Sequence, residues 1–353
     1  MVKKPKSRRE SGSSPQPTKG QGQVRTLQLD FRALLKKRNL GTAKPLIEAI
    51  ENKCGGTRLL CLVYNDTGPP PAMLAPAVLI PLERTLSHLG KVPRLDLFLR
   101  SAGGIAEVPW RVVSLLRESS DKLGVIVSRI ALSGATHIAI AADELVMTPY
   151  SVLGSVDPKR NHPLLPKDAD DRPIPTSVED LKHCIRFISE QLGDSYPKQN
   201  LALIISELFK YINPLAIGAL EQSYNLSKLI TRKSLKTRKE PLKEDHIEKI
   251  VDQLAGKYYS HSFQISRSEV ESDLGLPVTK PDAELSNLIA DLDNYYTEQF
   301  KKIEKVSAPN AEPLFRVGGV IQVADGGWAI VQVLKQDGKM VIDPWIEFIS
   351  EGG

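Results

Sequence analysis

Ser133 and two glycine-bearing turns are the residues whose types and spacing point to chemistry. Hydrolysis of an amide by a serine needs an activated hydroxyl on a constrained turn and backbone N–H groups aimed at the oxyanion that develops. One turn, Ser101-Ala102-Gly103-Gly104, directly follows the apolar run LDLFLR. Without Cβ atoms, Gly103 and Gly104 let the backbone approach a substrate carbonyl. The other turn, Ala131-Leu132-Ser133-Gly134-Ala135-Thr136, joins an apolar strand pattern to an apolar helix pattern. Ser133 therefore falls at a helix N-terminus, where unpaired N–H groups and the macrodipole favour negative charge. Each turn alone has a plainer reading. A serine at a helix start is commonly an N-cap, and Gly-Gly after a strand is commonly only a turn. Their order and spacing give the pair its weight.

The surrounding elements are of the kind that could position these turns. Thr57–Asn65 reads as a buried strand, and Pro81–Leu89 as a helix with proline at its first position. A strand over Arg94–Arg100, a helix over Val108–Ser119 and a strand over Lys122–Ile130 follow, then a buried helix over Ala135–Asp143 and a short strand at Leu145–Met147. Alternation with short links predicts βαβ crossovers and a largely parallel α/β sheet, with ligands gathering at the carboxyl ends of its strands. Both turns occupy such ends. A long loop, Thr148–Pro175, precedes a helix over Ser177–Leu192 with Ser177 as N-cap and Asp180 at the third helical position. Residues 199–260 are predominantly helical by the spacing of Leu, Ile and Val, and Leu314–Ile349 reads as three short strands forming a small β module.

The runs LDLFLRSAGG, IALSGATHIAIAADELVM and SVLGSVDP, in that order, resemble the core of the serine dehydrogenase proteinase family, which shares the Clp/crotonase fold with Clp-type proteases and signal peptide peptidase A. The similarity extends through INPLAIGALEQSYNLSKLI and YYSHSFQISRSEVESDLGLPV, covering about residues 45–280. It implies a Clp/crotonase-like βαβ spiral with a helical extension; composition and strand patterning at the two ends then divide the chain into a basic tail (1–24), a peptidase domain (25–306) and a β-rich appendage (307–353). It also implies a serine endopeptidase with Ser133 as nucleophile and Gly103, Gly104 and Gly134 around the oxyanion. Ala102, Leu132, Ala135 and Ser155 stand where the family carries Pro, Met, Gly and Pro. The proton acceptor stays open. The Clp-type histidine position falls in Val156-Asp157-Pro158, which has no imidazole. Lys182 corresponds to the lysine base of short bacterial signal peptide peptidases, and His162 in the long loop is the other candidate. His137 reads as a hydrogen-bonded core residue, Asp157 as an orienter or loop cap, and His261 matches a family position without an assigned role.

Composition narrows the remaining classes. The net charge of +5 owes much to Lys3, Lys4, Lys6, Arg8 and Arg9, a tail without interleaved aromatics, so no specific nucleic-acid partner is expected. The low apolar content of residues 1–24 predicts disorder. Cys54, Cys61 and Cys184 lack disulfide or zinc spacing. The start of the chain has no apolar leader, and Ile130–Met147 is too polar to cross a membrane, so a soluble cytoplasmic protein is expected. No metal or organic cofactor is indicated. The expected partners are a peptide or protein substrate, further copies in a homo-oligomer and, by resemblance, an ATPase or other protein. The alternative to a peptidase is a catalytically inactive Clp-fold scaffold or peptide-binding regulator, with a crotonase-like acyl-CoA enzyme third.

Overall fold

The computed structural model describes residues 30–68, 71–192, 198–305, 313–335, 340–342 and 344–349; the basic tail expected at 1–24 lies outside them. Helices α1 (Phe31–Arg38) and α2 (Lys44–Lys53) precede strand β1 (Arg58–Tyr64). Next come α3 (Leu79–Leu89), β2 (Val92–Ser101), α4 (Val108–Ser119), β3 (Ser120–Ala131), α5 (Gly134–Ile140), β4 (Glu144–Met147) and β5 (Val152–Gly154). A helical stretch follows: α6 (Val178–Leu192), α7 (Lys198–Leu208), α8 (Pro214–Lys236) and α9 (Glu244–Asp252). Then come β6 (Gln264–Ser266), α10 (Arg267–Ser272), β7 (Val278–Thr279), α11 (Ala283–Lys301) and β8 (Glu304–Lys305). The chain ends in β9 (Leu314–Val323), β10 (Gly326–Leu334), β11 (Met340–Ile342) and β12 (Trp345–Ile349).

The fold is α/β with a mostly parallel central sheet. Strands β1, β2, β3, β4 and β7 lie side by side and parallel, as the βαβ alternation requires. Their near-continuous apolar runs reflect burial on both faces. Along β1, Leu60, Leu62 and Tyr64 face one layer with Leu82 of α3 and Val112 of α4, while Leu59, Cys61 and Val63 face the other with Ile47 of α2 and Leu292 of α11. The strands expected at the C-terminus join this same sheet, since β9 pairs antiparallel with β1 and carries β10 beyond it. The last of the three strands expected within Leu314–Ile349 is two, β11 and β12; Pro344 between them has no ring N–H for a ladder.

Two devices shape the end of the sheet that carries the glycine turns. Leu99 faces Val127 but Ser101 faces Ala131, so β3 has extra residues there; this bulge turns it from its pairing with β4 to one with β5. Beneath the bulge Arg100 is fully buried. Its guanidinium donates to Asp66 on one side and to Asp293 of α11 at 3.4 Å on the other, and it reaches Thr297 Oγ1 at 2.6 Å. Ser128 donates to the same Asp293 at 2.7 Å, tying the bulge to α11. Deleting one member of a buried ion cluster leaves uncompensated charge and costs about 3–5 kcal/mol. Arg100→Met is therefore expected to lower unfolding stability in urea by about that amount; a loss within measurement error would show that the cluster does not hold this end of the sheet.

Candidate active site

The backbone of Ser133 has φ 50° and ψ −117°. This is the conformation of the first central residue of a type II′ turn, a place normally taken by glycine. A side chain there costs about 1–3 kcal/mol and persists only where its surroundings enforce it. They do so through Leu132 N, which donates to Ser101 O at 3.0 Å, and Thr136 N, which donates to Ser133 O at 3.0 Å. The Thr136 hydroxyl lies 2.8 Å from Ala131 O and 2.9 Å from Gly154 O, and accepts from Gly154 N at 3.1 Å, so it staples the ends of β3 and β5 around the turn. The plain N-cap reading of Ser133 does not hold, because its side chain makes no capping hydrogen bond to α5. No hydrogen bond reaches its hydroxyl among the described residues.

The two turns meet. A β-carbon on Gly103, whose φ is 95°, would lie 2.7 Å from Leu132 O and 2.9 Å from both Gly134 N and Ser133 Cβ. Only glycine fits there. The Gly103 N–H is already donated to Ser101 Oγ at 3.0 Å, so its place in the site is close approach rather than donation. Leu74 forms a parallel bridge with Gly104, giving its N–H to Gly103 O (2.9 Å) and accepting from Ile105 N (2.8 Å). Alternation along an extended chain then turns the N–H and C=O of Gly104 away from Leu74. That side faces the serine turn, where a β-carbon on Gly134 would sit 3.6 Å from Gly104 N. Neither the Gly104 nor the Gly134 N–H has an acceptor among the described residues. Two N–H groups without an acceptor thus lie on touching turns next to a serine hydroxyl that makes no hydrogen bond among the described residues.

The candidate bases are committed elsewhere. Lys182 donates to Glu179 at 2.8 Å and lies 4.2 Å above the Tyr224 ring. Burial works against its charge, but the hydrogen bonds to Glu179 and Tyr224 outweigh that and hold its pKa above the ordinary lysine value, the direction opposite to a neutral base. His162 Nδ1 accepts from Leu164 N at 3.2 Å within its own loop. His137 is the core histidine expected, between Ser227 and Thr231 hydroxyls at 3.4 and 3.3 Å. Asp157 is buried, His261 Nδ1 bonds its backbone carbonyl, and His183 turns inward toward the same place. From sequence His183, beside Lys182 on a surface helix, reads as a solvated residue; instead its Nε2 is buried, and its spacing of four from Glu179, which also lines the cavity, was the available signal. Among the described residues no cluster of metal-ligating side chains occurs, and no helix is long and apolar enough to cross a membrane.

Residues 83–166 match the model of the ClpP-like SDH-type serine proteinase family. The resemblance read from the sequence thus holds over the segment that contains both glycine turns and β5. Two curated relatives are uncharacterized proteins of Methanocaldococcus jannaschii. One is 38% identical over 65 residues, 18% of this chain and 22% of that protein. The other is 37% identical over 76 residues, 22% of this chain and 27% of that protein. The chain spans about a quarter of the length of these relatives. Among solved structures, a mutant of the 1510-N membrane-bound stomatin-specific protease is 10% identical, covering 65% of this chain and 82% of that one with a TM-score of 0.35. A mutant of ClpP1 from Listeria monocytogenes is 12% identical, covering 69% and 99%, with a TM-score of 0.36.

Burial alone pushes the His137 pKa down from 6.5 to about 3. The unfolded chain binds this proton at pH 6.5 and the folded chain only near 3, so the stabilising difference is complete above pH 6.5 and is lost as pH falls through that window. Each unit of acidification should cost about 1.4 kcal/mol from this residue. Urea unfolding followed from pH 6.5 downward is expected to show a steeper loss in the wild type than in His137→Gln. Equal slopes would remove His137 as the cause.

Proposed function

We propose that the chain is a serine peptidase in which the Ser133 Oγ attacks a peptide carbonyl. A tetrahedral oxyanion forms against the N–H groups of Gly104 and Gly134. The amine leaves with the proton taken from the serine, and water then hydrolyses the acyl ester to regenerate the hydroxyl. What supports this reading above all is the strained Ser133 turn: its hydroxyl is uncommitted among the described residues, and the turn touches the one that carries Gly104. Gly103 serves by letting the two turns touch. An extended substrate adds on the side of Gly104 opposite Leu74, where its main-chain groups are free to pair.

Lys182 and His162 enter as the candidate proton acceptors, and either must leave its present hydrogen bonds to take that role. The exposed Phe187, Leu203, Phe209, Tyr211 and Leu215 of α6 to α8 suit contact between copies in a homo-oligomer. One observation favours a second reading, a peptide-binding relative without hydrolysis: no base lies within hydrogen-bond distance of the Ser133 hydroxyl among the described residues.

The two readings separate on an unfolded protein substrate such as casein. The peptidase reading expects cleavage that disappears in Ser133→Ala and falls by about a hundredfold or more in either Lys182→Met or His162→Ala, identifying the base. Cleavage that survives Ser133→Ala would overturn it. Peptide binding without cleavage in wild type and Ser133→Ala alike would install the second reading.

A further inference from the structure

The segment that leaves β5 lines a polar cavity of about 120 Å³ with α6 and the turn after α9. Its nearest link to the serine turn is Gly154, where a β-carbon would sit 3.1 Å from Leu132 Cα; the next residue, Ser155, forms part of the wall. Asp157, Lys159, Glu179, Asp180, His183 and His261 supply its charged and imidazole side chains, and Tyr259 part of its aromatic wall. The volume is several times the roughly 10–15 Å³ that admits one water.

Three carboxylates face this space, and two have cations of their own. Glu179 pairs with Lys182 at 2.8 Å and Asp180 with Lys159 at 3.9 Å. Asp157 has no ion pair among the described residues; it is 7% exposed, Ser177 hydrogen-bonds its carboxylate, and its Oδ1 has no hydrogen-bond partner. His183 Nε2 is also buried without a partner, while its ring packs against Tyr259 with centroids 5.4 Å apart. The Asp157 oxygen is an acceptor awaiting a donor, His183 Nε2 is a second in the tautomer that carries its proton on Nδ1, and a buried carboxylate with an unpartnered oxygen is costly. A planar group with several N–H donors and a positive charge satisfies both acceptors and can lie against the tyrosine face.

We propose that this cavity is a recognition site for a guanidinium or ammonium group, held by Asp157 Oδ1 and His183 Nε2 and covered by Tyr259. The peptidase reading bears only on the source of that group, which it makes the basic side chain of a peptide whose backbone passes the Ser133 turn. A peptide entering the cavity would carry an arginine or lysine one or a few residues from the bond at Ser133.

Isothermal titration of the full chain carrying Ser133→Ala measures binding without turnover, with N-butylguanidine as the probe and N-butylurea as its uncharged counterpart. Saturable binding of N-butylguanidine is expected, weaker by about tenfold or more for N-butylurea and for the added substitution Asp157→Asn. Tyr259 is 74% exposed, so Tyr259→Ala tests the same site without burdening folding and should weaken binding roughly threefold or more. Matched peptides carrying arginine or citrulline distinguish the sources: a preference for arginine makes the ligand a peptide side chain, and N-butylguanidine binding without that preference makes it a free organic cation. No saturable binding, equal binding of N-butylurea, or affinity unchanged by both substitutions would overturn the proposal. Because hydrolysis is never read, failure of the peptidase reading leaves this result standing and the reverse holds too.

Discussion

The constraint on which the rest of the site depends is the conformation of Ser133, a residue with a side chain in a backbone region that glycine normally fills. A strained residue persists only where neighbours over-determine it. Here they come from three strands: Ser101 of β2 holds Leu132, Thr136 grips Ala131 of β3, and the same hydroxyl holds Gly154 of β5. Gly103 completes the arrangement by lacking the β-carbon that would push the turn away. The outcome is a serine lifted out of the capping role its position suggests.

The strand ends are themselves fixed from below. The bulge in β3 would leave Ser128 and Arg100 with buried polar groups, and α11 satisfies them through Asp293 and Thr297. A helix distant in sequence from both turns thereby sets where they meet. Buried ion clusters are weak evidence for stability as such. Their geometric demand is strong, because every donor must find its acceptor, and here the acceptors come from α11 and from Asp66 after β1.

Much of the parallel sheet was legible in the sequence because apolar runs of strand length alternate with helical periods. The helix expected over Val108–Ser119 occurs with those bounds. Ser177 and Asp180 cap α6 reciprocally, at 3.1 and 2.9 Å, as their spacing suggested. Strands β5 to β8, two or three residues long, are too short to carry a period, so β5 lay hidden inside the long loop. The partner of β9 was equally invisible, since its pairing with β1 joins residues far apart in the chain. At the site, glycine and serine types revealed the turns, but not that Ser101 Oγ takes the Gly103 N–H or that Glu179 and Tyr224 hold Lys182. Those facts depend on side-chain direction, which spacing alone does not fix.

The central claim is that the strained turn makes the Ser133 hydroxyl a nucleophile. Intact-mass analysis after treatment with a fluorophosphonate tests it directly, with peptide mapping to locate the adduct. The account predicts one adduct per chain, on Ser133, absent from Ser133→Ala and from protein unfolded beforehand. Folded protein that takes up no adduct, or takes it up equally after Ser133→Ala, would contradict it.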